Sequence, residues 1–272
     1  MAAELPAYGL DVERRPPRAL PSGAPGITRD WAWGGSTGAG VRVALLDSGV
    51  EDGHPRVGAV QRAVAVEVGR DGEARVVPDA AGDVSGHGTA CASVIRALAP
   101  DCELTSVRVL GEGLQGGGAQ LVAGLRWALR EGHGVVNLSL STTRRAFAAA
   151  LRELADEAYF ERTVVVASAH NMPVESWPWR FASVVSVASH AVADPLTFFY
   201  SDDPPVEFLA RGVDVPMGWL GGGTIRATGN SFATPHITGV CALILGRHPG
   251  LTAFGVKTIL YETATNVGGE AP

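Results

Sequence analysis

Cysteine is scarce in this chain of 272 residues, which holds 3: Cys91, Cys102 and Cys241, none close to another. An odd, scattered set of thiols excludes a disulfide-stapled scaffold and fits a reducing compartment, and no pair has zinc-ligand spacing. Long apolar runs are missing too. The longest stretches, "TVVVASA" and "ITGVCALILG", fall short of the roughly 20 residues needed to cross a bilayer, so no membrane partner is expected. No cluster of Lys and Arg offsets the formal net charge of −6, which removes the usual electrostatic basis for a nucleic-acid partner. The 7 histidines are dispersed, and no metal site shows in their spacing. The opening stretch "MAAELPAYGLDVERRPPRALPSGAPG" has charges and prolines but no apolar core of signal-peptide length, so a cytoplasmic location is expected.

What is present is enough hydrophobic residue, 46%, to bury one substantial core. A proline-rich arm over 1–25, either wrapped on the surface or disordered, is expected to precede a single domain over 26–272. Short runs rich in Val and Leu recur at 41–47, 104–110, 134–140, 163–169 and 183–189. Continuous apolar runs of this length are what parallel strands look like when both faces are covered. Helical patterns lie between them, "GAQLVAGLRWALREG" and "TRRAFAAALRELADEAY", with two further helices near 231–247 and 252–263. The alternation predicts an α/β fold, a doubly wound and mostly parallel sheet with helices on both faces. Ligands bind at the carboxyl ends of such strands, where Asp47, Ser139 to Ser141 and Asn171 fall.

Three short motifs carry chemistry. "LLDSG" puts Asp47 at the end of an apolar strand, "SGHGTA" puts His87 at a glycine-flanked helix start, and "GNSFATPH" puts Ser231 at another. Taken alone, Ser231 reads as an N-cap and His87 as a surface histidine near a turn. Taken together, they supply a hydroxyl, a base to accept its proton and a carboxylate to fix that base's tautomer.

In this order and setting the motifs closely resemble the subtilisin-like serine proteases, the subtilase family, along about residues 31–265. The resemblance implies a subtilisin-like fold, with Asp47, His87 and Ser231 as a catalytic triad. It also implies Asn171 as an oxyanion donor, worth ~3 kcal/mol, beside the Ser231 N–H at the positive end of its helix. Pro235 is expected in the first helical turn, where its missing N–H breaks no helical bond. Base catalysis by His87 is expected to follow an unperturbed pKa of about 6.5.

The peptide substrate, by position, would lie between the glycine edge at 113–118, including Gly116, Gly117 and Gly118, and the edge Ser139, Leu140 and Ser141. The pocket for the residue before the scissile bond would use Ser139 to Ser141, Ala167, Ser168, Ala169 and residues near Ser176. It reads as small to medium and neutral, with Glu175 as the basis of an alternative basic preference. Trp177-Pro178 matches a position where relatives hold a cis proline.

Several residues depart from the family pattern. His170 and Asn230 stand where relatives usually carry Gly and Thr. Asn230 is read as a tolerated polar substitution, and His170 either as tolerated or as an added donor that retunes specificity. Phe232 replaces an oxidisable Met, and Cys91 is read as a plain buried thiol. No cofactor is expected. Arg56 follows His54-Pro55 where relatives place a calcium ligand, and the calcium loop after the catalytic His is missing, so no calcium is expected at that site. No signal peptide, folding propeptide or closing C-terminal helix is expected within the chain.

The function read from the sequence is a selective intracellular serine endopeptidase acting through an acyl-enzyme, for example on a leader-bearing peptide. A precursor peptide or regulatory protein is its expected partner. A transpeptidase or macrocyclase on a peptide precursor, or a non-catalytic peptide-binding scaffold, are the alternatives.

Overall fold

The computed structural model describes residues 5–268. In chain order the elements are α1 (Arg29–Trp33), β1 (Arg42–Asp47), β2 (Arg62–Val68), β3 (Ala74–Pro78), α2 (His87–Leu98) and β4 (Glu103–Arg108). Then come α3 (Gly118–Arg130), β5 (Val135–Leu138), α4 (Ala148–Phe160), β6 (Val164–Ser168), β7 (Val185–His190), β8 (Phe198–Tyr200) and β9 (Phe208–Arg211). The chain closes with β10 (Val215–Trp219), β11 (Gly223–Ala227), α5 (Asn230–Arg247) and α6 (Ala253–Thr263).

Nine strands form one sheet in the order β3-β2-β4-β1-β5-β6-β7-β9-β8, and β10 and β11 form a separate hairpin. The inner neighbours all run parallel, while β3 and β8 pair antiparallel at the two edges. Both faces are covered, as the apolar runs require. Along β1, Val43 and Leu45 enter the core under α2 and α5, whereas Ala44 and Leu46 enter the core under α3 and α4. That alternation is the pleat of a strand with two buried faces.

Helix α5 is apolar all round and is buried continuously from Asn230 to Leu245, so it runs through the molecule rather than over it. It meets α2 closely at Gly239, where a Cβ would stand 2.8 Å from the Leu98 Cβ. The continuous apolar runs are the parallel strands. The elements without such a signal are the short edge strands β3 and β8, the four-residue β9, the hairpin β10–β11, the five-residue α1 and the half-exposed β2.

The arm is wrapped on the surface over its described part. The Leu10 N–H donates to the Ser189 carbonyl at 2.8 Å, Leu20 bridges to Val267, and Arg15 and Arg18 pair with Asp203 and Asp202. Helix α2 and β4 are joined directly across residues 99–102, and all three cysteines are buried and free. No helix of the described residues is long and apolar enough to cross a membrane.

Candidate active site

Asp47, the last residue of β1, is completely buried at the carboxyl edge of the sheet. Its Oδ1 accepts from the Ser48 N–H at 2.8 Å and from His87 Nδ1 at 2.8 Å, while Oδ2 has no partner among the described residues. His87 opens α2 directly after Gly86, whose φ of 92° lies in the left-handed region; a side chain at Gly86 would also meet the Trp219 ring at 2.7 Å. Gly88 is fixed by space as well, since a Cβ there would stand 1.9 Å from the Gly49 carbonyl. These contacts explain why glycine brackets the histidine.

His87 Nε2 lies 3.1 Å from Ser231 Oγ. Because Nδ1–H donates to Asp47, neutral His87 has its lone pair on Nε2, facing the hydroxyl. Burial is the largest single influence on the His87 pKa and pushes it down, but the Asp47 carboxylate hydrogen-bonded to the ring and the neighbouring Cys91 sulfur together outweigh it and hold the pKa well above its ordinary value. Cys91 Sγ lies 3.9 Å from Nδ1, and burial pushes this thiol's own pKa up. The raised His87 pKa differs from the unperturbed value expected from sequence, and the cause is the buried carboxylate and sulfur held against the ring. Phe232 packs against the imidazole, with ring centroids 5.1 Å apart.

Ser231 is the second residue of α5, and the N-cap is Gly229, not the serine. Its hydroxyl faces His87 instead of capping. Pro235 is the sixth helical residue rather than a first-turn one, so its missing N–H does remove a helical bond, the one to the Ser231 carbonyl. That carbonyl is taken up by Ser139 Oγ at 2.7 Å and Cys91 Sγ at 3.6 Å. Ser139 in turn accepts from Asn137, which accepts from Thr238, so a buried chain of polar groups ties the Ser231 backbone to β5.

Asn171 follows β6 in an exposed, irregular loop. Its Oδ1 accepts from the Asn230 N–H at 2.9 Å, which turns Nδ2 toward the serine. A Cβ built on Gly229 would stand 3.3 Å from Ser231 Oγ and 3.6 Å from Asn171 Nδ2, so the two groups converge on one point. Ser231 lies in the first turn of α5, where N–H groups have no helical acceptor. The arrangement can transfer a hydroxyl proton to a base and hold an oxyanion beside it.

A cleft of about 260 Å³ opens from these groups. Gly116, Gly117, Gly118, Ser139, Leu140, Ser141, Ser168 and Ala169 line it, together with His87, Asn171 and Ser231. Ala167 is outside the lining, because the strand pleat points it into the core beside α4. Ser176 is also outside: fully buried, it accepts from the Trp179 indole at 2.8 Å and from Ser141 Oγ at 3.0 Å, holding the rim from behind. Glu175 is exposed, and the Trp177-Pro178 bond is cis. Leu110, Leu114, Leu121, Thr142 and His170 also line the cleft. Of these, the leucines gave no signal beyond apolar character. His170 Nδ1 accepts from the Met172 N–H at 3.0 Å, which fixes its ring within its own loop.

Asn230 is more than a tolerated substitution. It is fully buried, its Oδ1 accepts from the Ser189 N–H at 3.0 Å, and its Nδ2 donates to the carbonyls of Ala7 at 2.8 Å and His170 at 3.3 Å. Among the described residues, only Asp47, His87 and Cys91 come close enough together to ligate a metal ion. A metal there would displace the proton that Nδ1 gives to Asp47.

The family model described as "Subtilase family" matches residues 38–272. Subtilisin DY of Bacillus licheniformis is 31% identical over 267 residues, 92% of this chain and 93% of the relative. Subtilisin of Bacillus pumilus is 32% identical over 253 residues, 86% of this chain and 87% of the relative. Among solved structures, a cold-adapted subtilisin-like serine proteinase superposes with a TM-score of 0.66 at 25% identity, covering 87% of this chain and 88% of the other.

Proposed function

The chain belongs to the subtilase family and is a subtilisin-like serine endopeptidase, and from that premise we propose that Asp47, His87, Ser231 and Asn171 perform the reaction on a selected set of intracellular peptides. The observation that carries this reading is the unbroken relay from Asp47 Oδ1 to His87 Nδ1 at 2.8 Å and from His87 Nε2 to Ser231 Oγ at 3.1 Å.

Ser231 Oγ attacks the scissile carbonyl as His87 Nε2 takes its proton, and Asp47 stabilises the imidazolium that forms. The negative charge moves to the carbonyl oxygen, where Asn171 Nδ2 and the Ser231 N–H receive it. His87 then gives the proton to the leaving amine as the C–N bond breaks, which leaves an acyl group on Ser231 Oγ. Water repeats the sequence with His87 as base and releases the acid. No cofactor takes part, and the cation Arg56 argues against calcium beside His54-Pro55.

The substrate lies extended between the glycine edge at 116–118 and Ser139 to Ser141, so backbone bonds supply affinity. Glu175 is exposed, which supports a neutral pocket of moderate size over a basic preference. Removal of a leader from a precursor peptide is the kind of task this selectivity suits. A peptide-library cleavage profile, read by mass, tests it. Cleavage restricted to sites after neutral side chains is the expected result. Cleavage after Lys or Arg, or products joined rather than hydrolysed, would contradict the reading.

A further inference from the structure

We propose that the segment Leu5–Leu10, fastened by the Asn230 side chain, is a positioning element for the Asn171 amide. The proposal rests on the role given to Asn171 above. An oxyanion donor must be held within about 0.5 Å of its working position, and Asn171 stands in an exposed loop and is itself part of no helix or strand.

Two bonds fix its peptide and its amide. The Asn171 carbonyl accepts from the Ala7 N–H at 3.0 Å, and its Oδ1 accepts from the Asn230 N–H at 2.9 Å. The preceding carbonyl, of His170, accepts from Asn230 Nδ2 at 3.3 Å. The same Nδ2 holds the Ala7 carbonyl at 2.8 Å, so one buried amide joins the arm to the oxyanion loop. Its Oδ1 anchors both to β7 through the Ser189 N–H at 3.0 Å.

A primary amide has two donor hydrogens and an acceptor oxygen, and here all are in use. A threonine hydroxyl has one hydrogen and could not hold both carbonyls, so the asparagine and the arm belong together. The arm itself is well seated. The Leu10 N–H donates to the Ser189 carbonyl at 2.8 Å, the Tyr8 ring lies 5.1 Å from Trp179, and a Cβ on Gly9 would stand 3.1 Å from the Ser189 carbonyl.

The test separates positioning from mere support. Pro6 to Gly9 form a turn closed by the Gly9 N–H on the Pro6 carbonyl, with Tyr8 at φ 66°. That pattern accepts proline at the position of Ala7, so Ala7→Pro removes the N–H that holds Asn171 without opposing the turn. In the full-length protein, on a peptide it hydrolyses, Ala7→Pro is expected to lower kcat about tenfold with KM within about twofold, a fraction of the 10²–10³ that loss of an oxyanion donor costs in subtilisin itself. In an Asn171→Ala background the same change is expected to have no further effect.

Asn230→Asp, which keeps the shape and turns an oxygen on the Ala7 and His170 carbonyls, is expected to follow the same pattern. A kcat unchanged by both substitutions, an effect on KM alone, or an equal loss with and without Asn171 would overturn the proposal. A measurement on the unaltered protein needs no variant to fold: the Ala7 amide is expected to be protected from hydrogen exchange, and exchange at the rate of a free amide would equally overturn it. If the unaltered protein cleaves no peptide and Ser231 takes no label, the endopeptidase reading fails instead, and the Ala7 exchange rate still reports on the clasp.

Discussion

His87 keeps its Nδ1 proton on Asp47 and must shed its Nε2 proton to act as a base. Its folded pKa is raised, so the imidazolium persists above pH 6.5 and the base form is scarce there. Activity is therefore expected to rise with a kcat/KM midpoint clearly above 6.5, checked by a pH profile on one peptide. A midpoint at or below 6.5 would contradict the raised pKa of His87. The sign for stability is opposite, because a raised pKa contributes stability below the unfolded value and loses it as pH rises through the folded one. The triad was legible at this scale because each member sits in its own short motif. Asn230 was not, since its partner Ala7 is 223 residues away and only the folded chain brings them together.

The turn before α2 shows how an element carries a catalytic side chain. Asp83 Oδ1 accepts from the Ser48 hydroxyl at 2.8 Å and from the N–H groups of Ser85 at 2.9 Å and Gly86 at 2.8 Å. Its Oδ2 accepts from the Thr89 N–H at 2.8 Å and the Thr89 hydroxyl at 2.6 Å. One carboxylate thus caps the helix that begins with His87 and ties it to the residue after Asp47. Asp83→Ala is expected to cost about 3 kcal/mol in denaturant unfolding, since charged hydrogen bonds contribute about 1.5–3 kcal/mol each and their losses overlap. A loss below about 0.5 kcal/mol would show that the turn holds without it. Of the seven inner strands, β1, β4, β5, β6 and β7 were legible as continuous apolar runs because both their faces are covered. The edge strands were not, because β3 is half-exposed with no apolar run and β8, though buried, has only three residues, too short a pattern to read. Pro235 sits deeper in its helix than the sequence suggests, because Gly229 and not Ser231 holds the cap position.

Over the whole molecule, two further histidines decide the acid limit. Burial pushes His190 down to about 4 and His236 down to about 4; each donates a ring proton to a carbonyl, of Thr197 and Phe232 respectively. With unfolded values near 6.5 the unfolded chain takes up their protons first, so stability is lost as pH falls from 6.5 toward 4. Each histidine accounts for about 3 kcal/mol over that window, a large share of the roughly 5–15 kcal/mol of a typical domain. Denaturant midpoints measured from pH 7 to 4 are expected to fall steeply, and a flat series would contradict the buried neutral state of both rings. The layer architecture followed from the alternation of strands and helices, but the strand order did not, because the crossover that puts β5 beside β1 leaves no mark in either segment. The folded molecule makes Ser231 a nucleophile, by setting its hydroxyl against His87 Nε2. The most direct measurement of this is the mass and mapped position of the adduct formed by a fluorophosphonate on the unmodified protein between pH 6 and 9. One adduct on Ser231, lost in His87→Ala, is the expected result; no adduct, while a control subtilisin is labelled, would contradict it.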